Sequence, residues 1–142
     1  MSIRIGIYGY GNLGRGVELA IAQNVDMQAV GVFTRRDPAT LKTLTGVKAY
    51  SAEQALEMQK DIDVMILCGG SSTDLPVQTP ALAKYFNLVD SFDTHAKIPA
   101  HLQNVDDVAK QANTVAVISA GWDPGMFSIA RLYGSAVLPQ GK

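Results

Sequence analysis

Apolar residues recur along this chain with two alternating periods. Ile3, Ile5, Ile7 and Tyr8 crowd into six positions and predict a short strand, too apolar for a surface segment. Leu13, Val17, Ala20 and Ile21 then fall at i, i+4, i+7 and i+8, one face of a helix over residues 12–23. The alternation continues. Residues 28–33 (Gln-Ala-Val-Gly-Val-Phe) predict a second strand and residues 47–50 a weak third. Residues 63–68 (Asp-Val-Met-Ile-Leu-Cys) predict a buried fourth strand, residues 88–90 a short fifth and residues 115–119 a further buried one. Between the strands, Pro38 opens a short helix to residue 44, stopped by Gly46. Ser51 followed by Gln54 is a capping-box pattern for a helix through residue 58. Residues 76–85, 99–112 and 126–137 complete the helices; Pro80 blurs the first of these, and Phe127, Leu132 and Val137 give the last an apolar face. Strands that alternate with helices and are nearly all apolar predict an α/β fold with a doubly wound parallel sheet covered on both faces.

The first turn carries the most specific spacing. Gly9, Gly11 and Gly14 stand as G-x-G-x-x-G between the first strand and the first helix. In that context the glycines have separate tasks: a tight turn at Gly9, close backbone approach to a pyrophosphate at Gly11, and close helix–strand packing at Gly14. The helix N-terminus adds unpaired N–H groups and a partial positive charge. This is the fingerprint of a Rossmann-type NAD(P)-binding domain. Ligands in such sheets bind beyond the carboxyl ends of the strands. Those ends lead into residues 9–14, 34–37, 68–73, 90–95 and 120–125, all rich in Gly, Ser, Thr, Asp or Arg. A carboxylate that would grip a ribose 2′-hydroxyl is missing after the second strand, where Thr34, Arg35 and Arg36 stand instead. A hydroxyl and two guanidinium groups suit a 2′-phosphate, which favours NADP over NAD.

Composition narrows the class. The chain has 142 residues, 47% of them hydrophobic and 18% charged, which suits one globular domain. A net charge of −1 argues against a general role on nucleic acid or a membrane surface, and no apolar run is long enough to span a bilayer. The single cysteine, Cys68, excludes an internal disulfide. With no basic leader ahead of the first strand, the reading is a cytoplasmic protein.

Reaction chemistry has fewer candidates. Asp90, Asp93 and His95 follow one strand; Trp122 and Asp123 follow another. Cys68 reads as a small apolar filler at the end of a buried strand. Asp123 precedes Pro124 and a helix, so it suits either an N-cap or a substrate contact, and Trp122 either core or site. The two histidines, His95 and His101, lack metal-site spacing, and no metal is expected.

Five stretches taken together carry a resemblance. They are Gly9-Tyr10-Gly11-Asn12-Leu13-Gly14-Arg15, Phe33-Thr34-Arg35-Arg36, Cys68-Gly69-Gly70-Ser71-Ser72-Thr73-Asp74, Asp90-Ser91-Phe92-Asp93-Thr94-His95 and Gly121-Trp122-Asp123-Pro124-Gly125-Met126-Phe127. In this order they closely resemble the meso-diaminopimelate dehydrogenases, NADP-dependent enzymes of lysine and cell-wall precursor metabolism. The resemblance implies oxidative deamination of the D-centre of meso-2,6-diaminopimelate to L-2-amino-6-oxopimelate and ammonia. It also implies a homodimer. Carried across, Tyr10 to Leu13 would hold the pyrophosphate, and Thr34, Arg35 and Arg36 the 2′-phosphate. Cys68, Gly69, Gly70, Ser71, Ser91, Phe92 and Asp93, with Ala120, Gly121, Trp122, Asp123 and Pro124, would line the ribose and nicotinamide. Asp93 and Asp123 would contact the reacting amino-acid end. The family's chains continue well beyond this length, into a substrate and dimerisation domain. The expectation is therefore a dinucleotide-binding domain over residues 1–120 and, in 121–142, the start of a connection to a missing domain. Such a chain is expected to bind NADP(H) weakly and to turn over poorly or not at all. Two rivals remain: another NADP-dependent amino-acid or imine oxidoreductase, and a non-enzymatic dinucleotide-sensing module.

Overall fold

β1 (Ile3–Tyr8) runs through the middle of a six-stranded, all-parallel sheet. The structure, a computed structural model, describes residues 2–140. On one side of β1 lie β2 (Met27–Thr34) and β3 (Ala49–Ser51). On the other lie β4 (Val64–Leu67), β5 (Leu88–Asp90) and β6 (Ala116–Val117), giving the order β3-β2-β1-β4-β5-β6. The chain reverses its direction of travel across the sheet between β1 and β4. That is the topological switch point where a crevice opens beyond the strand ends. The helices are α1 (Asn12–Ala22), α2 (Gln54–Glu57), α3 (Leu75–Ala83), α4 (Ile98–Ala112) and α5 (Met126–Val137).

Each face of the sheet has its own core. Ile5 and Ile7 of β1, with Val32 of β2, pack against Ile21 and Val17 of α1. Phe33, Met65, Leu67 and Leu88 point the other way and meet Leu75 and Leu82 of α3 and Val105 of α4. The doubly wound α/β arrangement is thus the one the periodicity predicts.

Three elements differ from the expectation. The buried face of α1 is Gly14, Glu18 and Ile21, while Leu13 and Ala20 are exposed. Close packing sets this rotation: a Cβ on Gly14 would stand 2.3 Å from the Gly9 carbonyl oxygen, so position 14 must face the strand. The helix expected over 38–44 is a single 3₁₀ turn, Pro38–Thr40, capped by the Asp37 carboxylate accepting from the Ala39 N–H at 3.0 Å. Beyond it the N–H groups of Leu44 and Thr45 are bonded to Glu18, which removes them from any helix. The buried strand expected over 115–119 shrinks to Ala116–Val117 at the sheet edge, with Val115 and Val117 exposed. Ser119 then takes a left-handed conformation, φ 58°, and turns the chain away. By contrast, α5 forms where expected and buries none of its residues, leaving Phe127, Leu132 and Val137 exposed. No helix among the described residues is long and apolar enough to cross a membrane.

Candidate dinucleotide site

The glycine turn is built by backbone approach. Gly9 has φ +96°, a conformation that L side chains rarely adopt, and its N–H donates to the Phe33 carbonyl at 2.8 Å. Gly11 is the N-cap of α1; no side chain caps it, and the first turn holds no acidic residue. A Cβ on Gly11 would meet nothing within 4 Å, so the backbone there borders open space. The uncapped N–H end of α1 therefore faces open volume, as an anion requires.

Two adjoining cavities occupy that space, of about 390 and 310 Å³. Tyr10, Gly11 and Arg36 line both. The first is ringed by Arg15, Arg36 and Lys42; the second runs from Thr34 and Arg35 across to Cys68, Gly69 and Gly70. The residues at the end of β2 are held in place. The Arg36 N–H donates to the Thr34 hydroxyl at 3.1 Å, and the Arg36 guanidinium donates to the Tyr10 carbonyl. Arg35 forms an ion pair with Asp74 at 3.0 Å and stays largely exposed. Asp74 also accepts from the Gly70 N–H at 2.9 Å; that bond and the pair with Arg35 hold its carboxyl below the usual range. Three strand-end loops are thereby tied around one concavity.

The reaction candidates separate into different environments. Asp90 is buried, and its carboxylate is fully used inside the fold. Oδ1 accepts from the N–H groups of Phe92 at 3.1 Å and Ser119 at 2.8 Å. Oδ2 accepts from the Thr79 hydroxyl at 2.8 Å and lies 2.7 Å from His101 Nε2. Asp90 is thus a structural node and not a group open to a ligand. Phe92 turns its ring inward, stacked on His101 at 4.2 Å, so only its backbone can reach a ligand. Asp93 is exposed, and its N–H donates to the Ser71 hydroxyl at 2.8 Å. Asp123 receives both ends of the Arg131 guanidinium, at 2.9 and 2.7 Å, and lies 3.4 Å from His95 Nε2. Arg131 above all holds the Asp123 carboxyl below the usual range. Trp122, 64% exposed, lies edge-on to Phe127 and is not core. Ala120 and Gly121 are exposed beside it, with Pro124 half-buried. Cys68 is mostly buried, which pushes its thiol up to about 12 and suits a filler over a nucleophile. Among the described residues no group of His, Cys, Asp and Glu could hold a metal ion.

Against known proteins, the chain is 60% identical over 141 residues to the meso-diaminopimelate D-dehydrogenase of Acetivibrio thermocellus, covering 99% of this chain and 42% of that protein. It is 48% identical over 139 residues to the Corynebacterium glutamicum enzyme of the same name, covering 98% of this chain and 42% of that protein. This chain is homologous to the meso-diaminopimelate D-dehydrogenases. It spans about two fifths of the length of those relatives. Among solved structures, an engineered D-amino acid dehydrogenase bound to NADP+ superposes with TM-score 0.86 at 46% identity, over 96% of this chain and 42% of that one. The C. glutamicum diaminopimelate dehydrogenase in complex with DAP gives TM-score 0.85 at 46% identity, over 96% of this chain and 41% of that one. No protein-family model matches the chain.

Several residues around the cavities and the Asp123 loop escape a reading of the sequence. Arg15 follows the last fingerprint glycine directly and could have been found as a cation on the first helical turn. Asp74 stands before a helix and reads locally as a cap. Lys42 and Arg131 carry no local signal: one lies in irregular chain, and the other, on α5, reaches back eight residues to Asp123.

Proposed function

We propose that this chain is the NADP(H)-binding part of a meso-diaminopimelate dehydrogenase. The observation that carries the reading is the pair of joined cavities at the uncapped N-terminus of α1, ringed by cations and closed by Thr34, Arg35 and Arg36. The residues fit the cofactor's chemistry. N–H groups over Tyr10 to Leu13 suit a pyrophosphate, and the Thr34 hydroxyl with the two guanidinium groups suits a 2′-phosphate. Gly14 supports that turn by its close packing, and Cys68 to Ser71, Ser91 to Asp93 and Ala120 to Pro124 line the ribose and nicotinamide end. The bound cofactor supplies a hydride acceptor for the D-configured α-carbon of the substrate.

The chain's own carboxylates then divide the remaining work. Asp93, exposed and fixed through its backbone to Ser71, orients the substrate ammonium group and takes its proton. Asp123, kept anionic by Arg131, supplies fixed negative charge that attracts the same group. Water completes the deamination to the oxo acid and ammonia. Residues 1–120 form the dinucleotide-binding domain. Residues 121–142, with the uncovered α5, begin the connection to a further domain of a cytoplasmic homodimer.

Calorimetric titration of this chain with NADP+ and NAD+ tests the cofactor assignment. The expected result is tighter binding of NADP+, reduced roughly 10- to 100-fold by Arg36→Ala, which removes charge-assisted bonds. Equal affinities would overturn it. In the whole protein, NADPH formation from NADP+ and meso-diaminopimelate should fall in both Asp93→Asn and Asp123→Asn. Turnover unchanged in both would overturn the assigned roles.

A further inference from the structure

Glu18 is a charged residue on the buried face of α1, and it is only 1% exposed. A carboxylate is costly to bury unless its oxygens are bonded. Among the described residues no cation is bonded to it; N–H and O–H groups satisfy it instead. Oε1 accepts from the Thr45 N–H at 2.7 Å and the Thr45 hydroxyl at 2.6 Å. Oε2 accepts from the Leu44 N–H at 3.1 Å and from the Tyr10 hydroxyl. The Tyr10 oxygen in turn accepts from the same Leu44 N–H at 3.0 Å.

One side chain of α1 therefore fastens two stretches of chain that line the first cavity. The Tyr10 carbonyl, in the glycine turn, holds the Arg36 guanidinium. The segment anchored at Leu44 and Thr45 carries Leu41 and Lys42, which line the same cavity. Glu18 itself is sealed away from the ligand. Its effect can reach a bound anion only through where those two cations stand.

We propose that Glu18 is a positioning residue for 2′-phosphate selection, setting the placement of Arg36 and Lys42 through Tyr10 and the 41–46 segment. The inference rests on the NADP reading above. A glutamine cannot replace it, because a side-chain amide offers one acceptor oxygen and turns a donor toward either the Leu44 or the Thr45 N–H.

The test is titration of this chain with NADPH and with NADH, followed by the fluorescence of the reduced nicotinamide, in the wild type, Glu18→Gln and Tyr10→Phe. Glu18→Gln should weaken NADPH about tenfold and NADH less than about twofold, the size of effect a lost charge-assisted bond allows. Tyr10→Phe keeps the ring in the core and removes only the hydroxyl link, so it should shift the ratio the same way by a smaller factor. It also carries the test if Glu18→Gln fails to fold. A merely structural role would weaken both nucleotides by the same factor. That result, or an unchanged ratio in the variants, overturns the inference alone. A wild-type chain without preference for NADPH overturns the cofactor reading and the inference together.

Discussion

Cys68 shows how far burial alone can set a residue's chemistry. Its Sγ lies at the carboxyl end of the central sheet, beside the glycine turn, where a reactive thiolate would be well placed. Loss of solvation is what acts on it, and the thiol is pushed up to about 12. The folded chain should therefore resist iodoacetamide at pH 8, with labelling at least about tenfold slower than in denaturant, since the thiolate is the attacking species. Mass spectrometry of timed reactions checks this; equal rates would mean that the thiol is open and ionised. Asp93 and Asp123 make the complementary case. Similar in sequence, they differ in that one is exposed and the other is clamped by Arg131. Both stood out in the sequence as carboxylates after strands, Asp123 with a cap ahead of Pro124 as its alternative role; the bond it makes is to a side chain eight residues on rather than to a backbone N–H.

At the scale of elements, Asp90 joins pieces that the chain keeps far apart. Thr79 comes from α3, His101 from α4, and the two N–H groups from the loops after β5 and β6. Asp90→Ala would strand all four donors in the interior, and a loss of about 3 kcal/mol is expected. Urea unfolding measures it; a loss under about 0.5 kcal/mol would show that the node is redundant. The loops holding Asp93 and Asp123 hang from this node, so the same variant should broaden their amide signals by NMR. Most elements were legible because burial on both faces leaves the strands apolar and the helices periodic. The misread ones had a physical cause outside their own stretch. The face of α1 was set by contact at Gly14, and the 41–46 segment was taken from a helix by Glu18. β6 lost its buried character at the open edge of the sheet.

Across the whole molecule, the ends of the strands differ in function and in what holds them. The amino end of β1 is pinned by Arg4, whose guanidinium and backbone N–H donate to Asp63 ahead of β4 at 2.8 to 3.1 Å. These bonds lower the Asp63 carboxyl from 3.8 to about 2. A depressed carboxylate stabilises the fold above its unfolded value and loses that contribution as pH falls through the folded one. Melting temperature should therefore drop between about pH 4 and pH 2, and Asp63→Asn should flatten that part of the profile. A variant whose acid limb matches the wild type would remove Asp63 from the account. At the opposite, carboxyl end, the loops instead leave backbone N–H groups and guanidinium groups facing open volume, and the switch point between β1 and β4 makes that volume one site.

The sequence by itself determined the parallel α/β architecture, the glycine turn and the arginines after β2. Each is encoded within a few consecutive residues, through period, turn geometry or charge. Which side of α1 is buried, that Asp90 is a structural node, and that Arg36 is held by the Tyr10 carbonyl were decided only by tertiary structure. In each, the deciding partner lies on a different element, and hydrogen bonds and close packing between distant residues leave no local period to read.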